Sequence, residues 1–107
     1  MIHEIILAGF GGQGILSAGR ILAYAGMLDG KHVSWLPSYG PEMRGGTANS
    51  SVVISDKPVD SPVLYSAGAI IVMNKPSLEK FESWVDKDGI IIIDSSIVDK
   101  DIKRKDI

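Results

Sequence analysis

The sequence predicts an α/β domain built on a mostly parallel sheet. An apolar run over Ile2 to Ala8 is followed by a glycine-rich turn, and helical spacing then extends over Ile15 to Met27. A strand, a tight turn and an amphipathic helix in this order are typical of a β–α–β opening. Further short apolar runs follow along the 107 residues, as is typical of the buried strands of a parallel sheet.

The remaining elements follow from local patterns. The first helix repeats apolar residues every three or four positions, and we expect Gly26 and Gly30 to bracket its end. Pro76 suits the start of a second helix, in which apolar residues share one face. Besides the first strand and helix, the predicted elements are strands over His32–Leu36, Ser50–Ile54, Ala69–Met73 and Ile90–Ile93 and a helix over Ser77–Val85.

The third strand is the exception in this sheet. Residues 37–47, which lead to it from the second strand, are rich in proline and glycine and therefore predict a loop. Parallel neighbours need a longer crossover, usually a helix. We therefore expect the third strand to be antiparallel or to lie at an edge. The whole pattern is Rossmann-like, with helices on both faces of the sheet.

The chain is expected to form a single domain over residues 1–107. Residues 97–107 are charged and show no clear strand or helix cap. A doubly wound sheet would continue with another helix and strand, so we expect a C-terminal portion to be missing. A disordered C-terminal tail is the alternative.

Composition excludes several functions. The formal charge of −2, without a clustered basic face, argues against nucleic-acid binding. No apolar run is long enough for a membrane span, and no signal peptide is visible, so we expect a cytoplasmic protein. There is no cysteine, so these residues hold no disulfide and no cysteine-ligated iron–sulfur cluster.

The glycine turn reads G-x-G-x-x-G, which is the fingerprint of a nucleotide-binding turn. It lies between a strand and an amphipathic helix, where the first amides of the helix favour an anion. The expected phosphate-binding residues are Gly9, Gly11, Gly12, Gln13 and Gly14. A purely structural turn is the alternative.

Binding of NAD is a poorer fit to this turn. An NAD site places an Asp or Glu at the end of the second strand, where it holds the ribose hydroxyls. Here that strand ends in Ser34, Trp35, Leu36 and Pro37. The phosphate half of the fingerprint is therefore present, and the ribose half is missing.

A second motif, SYGPEMRGGTANSSV, follows the second strand. It should lie at the same carboxyl edge of the sheet as the glycine turn, where ligands bind in such folds. Arg44 suits a phosphate or carboxylate, and the amides of Gly45 and Gly46 would lie beside it. A surface pair between Arg44 and Glu42 is the alternative. The interface or ligand residues of this loop are Ser38, Tyr39, Glu42 and Met43.

Two further groups of residues are weaker candidates. Asn74 and Asp94 each follow a predicted strand at the carboxyl edge, where helix-cap and turn roles compete with ligand contacts. His3 and His32 stand without nearby carboxylates and do not make a metal site. No nucleophile with an adjacent base is found, so no catalytic residue is predicted.

Four segments together resemble the gamma subunit of 2-oxoacid:ferredoxin (acceptor) oxidoreductases, which act on 2-oxoglutarate, branched-chain 2-oxoacids such as ketoisovalerate, or pyruvate. The segments are GFGGQGILSAGRILA, SYGPEMRGGTANSSVVIS, PVDSPV and IIVMNKPSLEKF. The order and spacing of the two glycine motifs make the resemblance specific. Members of this family usually extend well past 107 residues.

The resemblance implies a non-catalytic subunit of an enzyme complex that oxidatively decarboxylates a 2-oxoacid to an acyl-coenzyme A. Thiamine diphosphate, Mg and iron–sulfur clusters would be held mainly by other subunits, and coenzyme A would enter near this one. The implied partners are alpha, beta and delta (ferredoxin-like) subunits, with ferredoxin as electron acceptor and a homodimer when the chain is isolated. A free-standing dinucleotide-binding oxidoreductase domain and a purely structural assembly module are the competing interpretations.

Overall fold

Residues 2–10, 14–39, 47–59, 63–94 and 106–107 are described by the structure, which is a computed structural model. They form one five-stranded sheet, two α-helices and a short 3₁₀ turn. In chain order the elements are β1 (Ile2–Phe10), α1 (Ile15–Leu28), β2 (His32–Tyr39), β3 (Thr47–Ser55), β4 (Ala67–Val72), α2 (Lys75–Phe81), the 3₁₀ turn (Glu82–Trp84) and β5 (Val85–Ile93).

The strand order is β2-β3-β1-β4-β5. Strands β1, β4 and β5 are parallel, and β3 is antiparallel to both of its neighbours. Four strands therefore share one direction, which confirms the predicted fold class and the antiparallel third strand. The alternative of an edge position is wrong, because β3 lies between β2 and β1. That place gives β3 hydrogen-bonding partners on both sides, and it buries Val52 and Val53 to 0% and 1% exposure.

The sheet is covered by one helix on each face, as the sequence predicts. Along β1, Ile6 and Ala8 belong to the cluster under α2, whereas Leu7 belongs to the cluster under α1. Successive side chains of a strand point to opposite faces, so β1 is buried on both sides. The cluster under α2 is the larger, with ten buried residues against four.

Helix α1 approaches the sheet closely because two glycines face it. A Cβ atom at Gly19 would lie 2.6 Å from Cβ of Ser50, and one at Gly26 would lie 2.9 Å from Cγ1 of Val33. Gly26 therefore lies inside the helix as a packing residue and does not bracket its end, as the sequence suggested. Gly30, with φ of 78°, follows the end of the helix.

Most elements extend beyond their predicted boundaries: β1 ends at Phe10, β3 starts at Thr47, and β5 starts at Val85 instead of Ile90. Strand β2 continues past Leu36, through Pro37, to Tyr39. Proline lacks an N–H donor but is tolerated in an edge strand, and β2 is at an edge. Helix α2 ends at Phe81 and is followed by the 3₁₀ turn, and Val85, which was expected to end the helix, starts β5 instead.

Candidate functional site at the carboxyl edge of the sheet

The two sequence motifs are anchored at one edge of the sheet. The end of β1 pairs with the start of β3, Phe10 with Thr47, and the end of β2 pairs with β3 next to it, Tyr39 with Ala48. Strands β1 and β2 therefore both end at the carboxyl edge of the sheet. The sequence analysis expected this common edge.

The distance between the two anchors follows from the strand order. Because β3 separates β1 from β2, their backbones lie about 10 Å apart, which is twice the usual strand spacing. A single phosphate cannot bridge that distance by itself. A ligand that contacts both motifs must be extended, or the loops must reach toward each other.

Gly14 forms the entrance to α1. Its backbone has φ of 76° and ψ of 19°, a left-handed conformation that residues other than glycine, asparagine and aspartate rarely adopt. A Cβ atom at Gly14 would meet nothing within 4 Å. Gly14 therefore serves the backbone conformation of the turn and not, as in the usual fingerprint, close packing of the helix on the strand. The close packing is supplied by Gly19 and Gly26.

The amino end of α1 is electrostatically suited to an anion. No side chain of the described residues caps it, and its first turn contains no acidic residue. The first amides of a helix lack partners within the helix, and the helix dipole makes this end positive. The arrangement therefore favours phosphate or carboxylate at this end.

Ser50 fixes this end of the helix against the sheet. It is fully buried, and its Oγ donates a hydrogen bond to the carbonyl of Ile15 over 3.2 Å. The sequence analysis missed this residue. No local signal distinguishes it, because β3 also contains Asn49, Ser51 and Ser55.

The predicted site residues are only partly covered by the described ranges. Gly9 is buried and pairs with Ala48, Gly14 precedes α1, Ser38 is exposed, and the backbone of Tyr39 belongs to β2. Outside the described residues lie Gly11, Gly12, Gln13, Glu42, Met43, Arg44, Gly45 and Gly46. Their roles stay predictions.

Asn74 stands at the end of β4 and caps α2. Its Oδ1 accepts a hydrogen bond of 2.8 Å from the amide of Ser77, which confirms the helix-cap interpretation. Asn74 is 1% exposed, and its Nδ2 has no hydrogen-bond partner within the described part of the chain. Strands β1 and β4 are adjacent, yet their helices lie on opposite faces, so the point between them is where ligands bind in open α/β sheets.

The aromatic residues of α2 and the 3₁₀ turn are structural, and the two histidines form no site within the described residues. Phe81 is buried and packs edge-on against Trp84, with ring centroids 5.0 Å apart. His3 and His32 are exposed, and no group of three His, Asp or Glu side chains comes together in the described residues. No helix within the described ranges is long and apolar enough to cross a membrane.

The chain also matches a known protein family over nearly its whole length. The profile of the family described as "Pyruvate ferredoxin/flavodoxin oxidoreductase" matches residues 4–107. The chain belongs to this family. The resemblance found in the sequence is thereby confirmed.

Three relatives illustrate the similarity. The ketoisovalerate oxidoreductase subunit VorA of Methanothermobacter thermautotrophicus is 49% identical over 87% of this chain, but the match is 20% of VorA. The 2-oxoglutarate synthase subunit KorC of Methanocaldococcus jannaschii is 40% identical over 94% of the chain and 54% of KorC. The crystal structure of the keto/oxoacid ferredoxin oxidoreductase gamma subunit from Geobacter sulfurreducens superposes with a TM-score of 0.80 at 37% identity.

The lengths of these relatives differ from that of the chain. The crystallised gamma subunit is matched over 54% of its length by 94% of this chain. The chain thus spans about half of KorC and of that gamma subunit, and a fifth of VorA. VorA and the crystallised gamma subunit are named as subunits of oxidoreductases, and KorC is named as a subunit of a 2-oxoglutarate synthase.

Proposed function

We propose that the chain is the gamma-type, non-catalytic part of a multi-subunit 2-oxoacid:ferredoxin (acceptor) oxidoreductase. The complex would oxidatively decarboxylate a 2-oxoacid to an acyl-coenzyme A in the cytoplasm. The observation that carries the proposal is the family match over residues 4–107, which includes both glycine motifs. Relatives named for ketoisovalerate and 2-oxoglutarate support a 2-oxoacid as the substrate class.

The chain's own residues indicate which cofactors belong elsewhere. These 107 residues contain no cysteine, so they provide no thiolate for an iron–sulfur cluster. The clusters are therefore proposed to lie on partner subunits. By resemblance to the family, thiamine diphosphate with its Mg is proposed to lie there too, on alpha, beta and delta-type subunits, with ferredoxin accepting the electrons. The isolated chain would form a homodimer.

The carboxyl edge fits a phosphate-bearing part of coenzyme A. The amino end of α1 supplies amides without an acidic neighbour in the first turn. Arg44, in the segment that leaves β2, supplies the charge that would hold a second part of the ligand. An extended ligand suits two anchors about 10 Å apart, which is a spacing that follows from the intervening β3.

The alternative of a free-standing dinucleotide-dependent oxidoreductase is disfavoured by the sheet itself. An NAD site places its ribose-binding acid on the strand adjacent to β1. Here the adjacent strand on that side is the antiparallel β3, and β2 contains no Asp or Glu over its whole length. Phosphate recognition is thus compatible with the fold, but ribose recognition of the NAD type is not.

Affinity purification from the native cell tests the proposal. We expect thiamine diphosphate-binding and cluster-binding subunits to co-purify, and the purified complex to reduce a viologen dye with a 2-oxoacid and coenzyme A. The isolated chain should show no such turnover with the same additions. Turnover by the isolated chain, or tight NAD binding measured by calorimetry, would contradict the proposal.

A further inference from the structure

Helix α1 is apolar on its outer side as well as on the side that packs on the sheet. Its sequence, ILSAGRILAYAGML, contains a single charged residue, Arg20. On the outer side, Ile21, Tyr24 and Leu28 are 68%, 58% and 71% exposed. The outer side of a surface helix normally carries charged and polar residues, and a helix that is hydrophobic all round is usually buried. The composition of α1 therefore indicates that its outer side is a contact surface.

The outermost residues of α1 form one stripe along the helix. They are Ser17, Ile21, Tyr24 and Leu28, all exposed, and we call them the α1 stripe. Their spacing of four, three and four residues is that of a seam along which two helices pack. The spacing reads the same in both directions, so a second copy of α1 that lies antiparallel on the first meets the stripe in register.

The α1 stripe also matches itself in size. A two-fold axis between Ile21 and Tyr24 would bring Ser17 of one copy against Leu28 of the second copy, and Ile21 against Tyr24. The small side chain at one end of the stripe would thus face the large one at the other end. Contacts about a two-fold axis require such a self-complementary patch. Arg20 lies beside the stripe and not within it, so its charge would stay at the rim.

The apolar area on this side of the molecule is large enough for a dimer. Next to the α1 stripe, Met27 and Trp35 line the open groove and are 54% and 37% exposed. With these two residues the stripe exposes roughly 600 Å² per copy, if a large side chain offers about 200 Å². Two copies would bury roughly 1,200 Å², the lower limit for a specific interface. Tyrosine, tryptophan and methionine are also enriched in protein interfaces.

We propose that the α1 stripe pairs two copies of this chain, antiparallel about a two-fold axis between Ile21 and Tyr24. The inference rests on the proposed function only for the homodimer of the isolated chain, and it adds the surface and the geometry of that dimer. An interface of this size fits a dimer that dissociates at concentrations on the order of micromolar. Unfolding measured below that concentration therefore reports the single chain.

Disulfide crosslinking of the full chain, expressed alone, tests the geometry. The test variant carries Ser17→Cys and Leu28→Cys together, and the two single variants are its matched controls. The two positions lie about 16 Å apart along one helix, whereas a disulfide joins Cα atoms roughly 4.4–6.8 Å apart. The thiols of one copy therefore cannot join each other, and in the proposed dimer neither can two thiols at the same position.

On oxidation, we expect the double variant to form a covalent dimer in which position 17 is linked to position 28. The yield should exceed that of either single variant about tenfold or more. The 107 residues contain no cysteine, and peptide mass spectrometry identifies which positions are linked.

Sedimentation velocity tests the surface itself. Tyr24→Glu places a charge in the middle of the α1 stripe. The matched control is Tyr65→Glu, the same change at a tyrosine that is 81% exposed in the segment before β4. We expect Tyr24→Glu to weaken dimerisation about 100-fold or more, because like charges would face each other across the interface. Tyr65→Glu should leave it unchanged, and circular dichroism checks that both variants fold.

Three results would each overturn the proposal. They are a chain that stays monomeric well above micromolar concentration, a dimer that Tyr24→Glu leaves intact, and a double variant that yields no link between positions 17 and 28. None of these measurements depends on co-purification of other subunits or on turnover. Failure of the α1 pairing is therefore distinguishable from failure of the proposed enzyme function.

Discussion

The two helices of the molecule begin in opposite ways. Helix α2 starts at buried Asn74, whose side chain caps it, and it has a proline in its first turn. Helix α1 starts at Gly14, which has no side chain to cap with. The amino end of α2 is thus partly satisfied by the protein, while that of α1 leaves its amides to a ligand or to its loop. The difference supports the proposal that the start of α1 binds an anion, whereas the start of α2 is satisfied by the protein itself.

The helices are also held to the sheet differently. Helix α2 inserts large side chains, with Leu78 at 0% and Phe81 at 4% exposure. Helix α1 instead brings its backbone close through Gly19 and Gly26. Its outer side exposes Ile21, Tyr24, Met27 and Leu28, and together with Trp35 some of these residues line an open apolar groove of about 560 Å³.

The largest expected effect is on the anchor of α2. Leu78→Ala should lower the free energy of unfolding by about 2–5 kcal/mol, because it leaves a cavity in the larger cluster. The matched control is Leu28→Ala on α1, which removes a side chain that is 71% exposed and should change stability by less than about 0.5 kcal/mol. Urea unfolding followed by tryptophan fluorescence measures both. Similar losses in the two variants would show that α1 is anchored in the same way as α2.

The next effect tests the proposed ligand role of Arg44. In the assembled complex, Arg44→Ala should raise the apparent coenzyme A constant about 10- to 150-fold, as expected for a charge-assisted contact worth about 1.5–3 kcal/mol. Lys57→Ala is the control, since it removes a positive charge near the opposite end of β3. Dissociation of the complex on dilution, with the coenzyme A constant unchanged, would assign Arg44 to a subunit interface.

Close approach of α1 is tested by adding one carbon. Gly19→Ala places a Cβ atom 2.6 Å from Cβ of Ser50 and 3.0 Å from Nε1 of Trp35. Overpacking of this kind costs about 1–3 kcal/mol, offset in part by the better helix propensity of alanine, about 1 kcal/mol. The cost measured by urea unfolding should shrink in a Ser50→Gly background. An unchanged cost would place the clash elsewhere.

The caps themselves give the next smaller effect. Asn74→Ala should cost about 1 kcal/mol, the usual value for a lost N-cap, and Asn74→Ser should recover part of it because serine keeps an oxygen acceptor. Gly14→Asn should be tolerated better than Gly14→Ala, because asparagine accepts the left-handed conformation. Thermal unfolding of the four variants measures these differences. Equal stability of the two Gly14 variants would contradict the conformational role.

The sequence predicted what depends on local patterns. The first helix and the cap at Asn74 are specified by neighbouring residues, and each was placed within a few positions of its observed site. The central position of β3 was missed because it results from pairing with β1, which is some 45 residues away in the chain. Likewise, the packing role of Gly19 depends on Ser50, which no local pattern connects to it.

The same distinction between local patterns and long-range pairing applies to the candidate site. Its common edge could be predicted because parallel strands bring their carboxyl ends together, and β1 and β2 share a direction. The distance between the ends of β1 and β2 could not be predicted, because it depends on the strand order, in which β3 lies between them. Ser50, which holds the start of α1, was missed for the same reason.

The smallest expected effect concerns the other end of α1, where Lys31 forms an exposed ion pair with Asp56 over 2.9 Å. The hydrogen bond between the two side chains raises the pKa of Lys31 and lowers the pKa of Asp56. For Asp56 the lowered pKa means a contribution that is present above its unfolded value and is lost as the pH falls through the folded value. For Lys31 the raised pKa means a contribution that is lost as the pH rises through the folded value. The pair should therefore stabilise the fold between about pH 4 and pH 10, and only slightly, because both groups are exposed and screened by salt.

We expect Lys31→Met to shift the urea midpoint at pH 7 and low salt more than Lys57→Met does, and to lose that difference at pH 3 or in high salt. A shift that is the same at both pH values would show that Lys31 acts through its aliphatic stem instead, and the ion pair would then contribute nothing to the stability of the carboxyl end of α1.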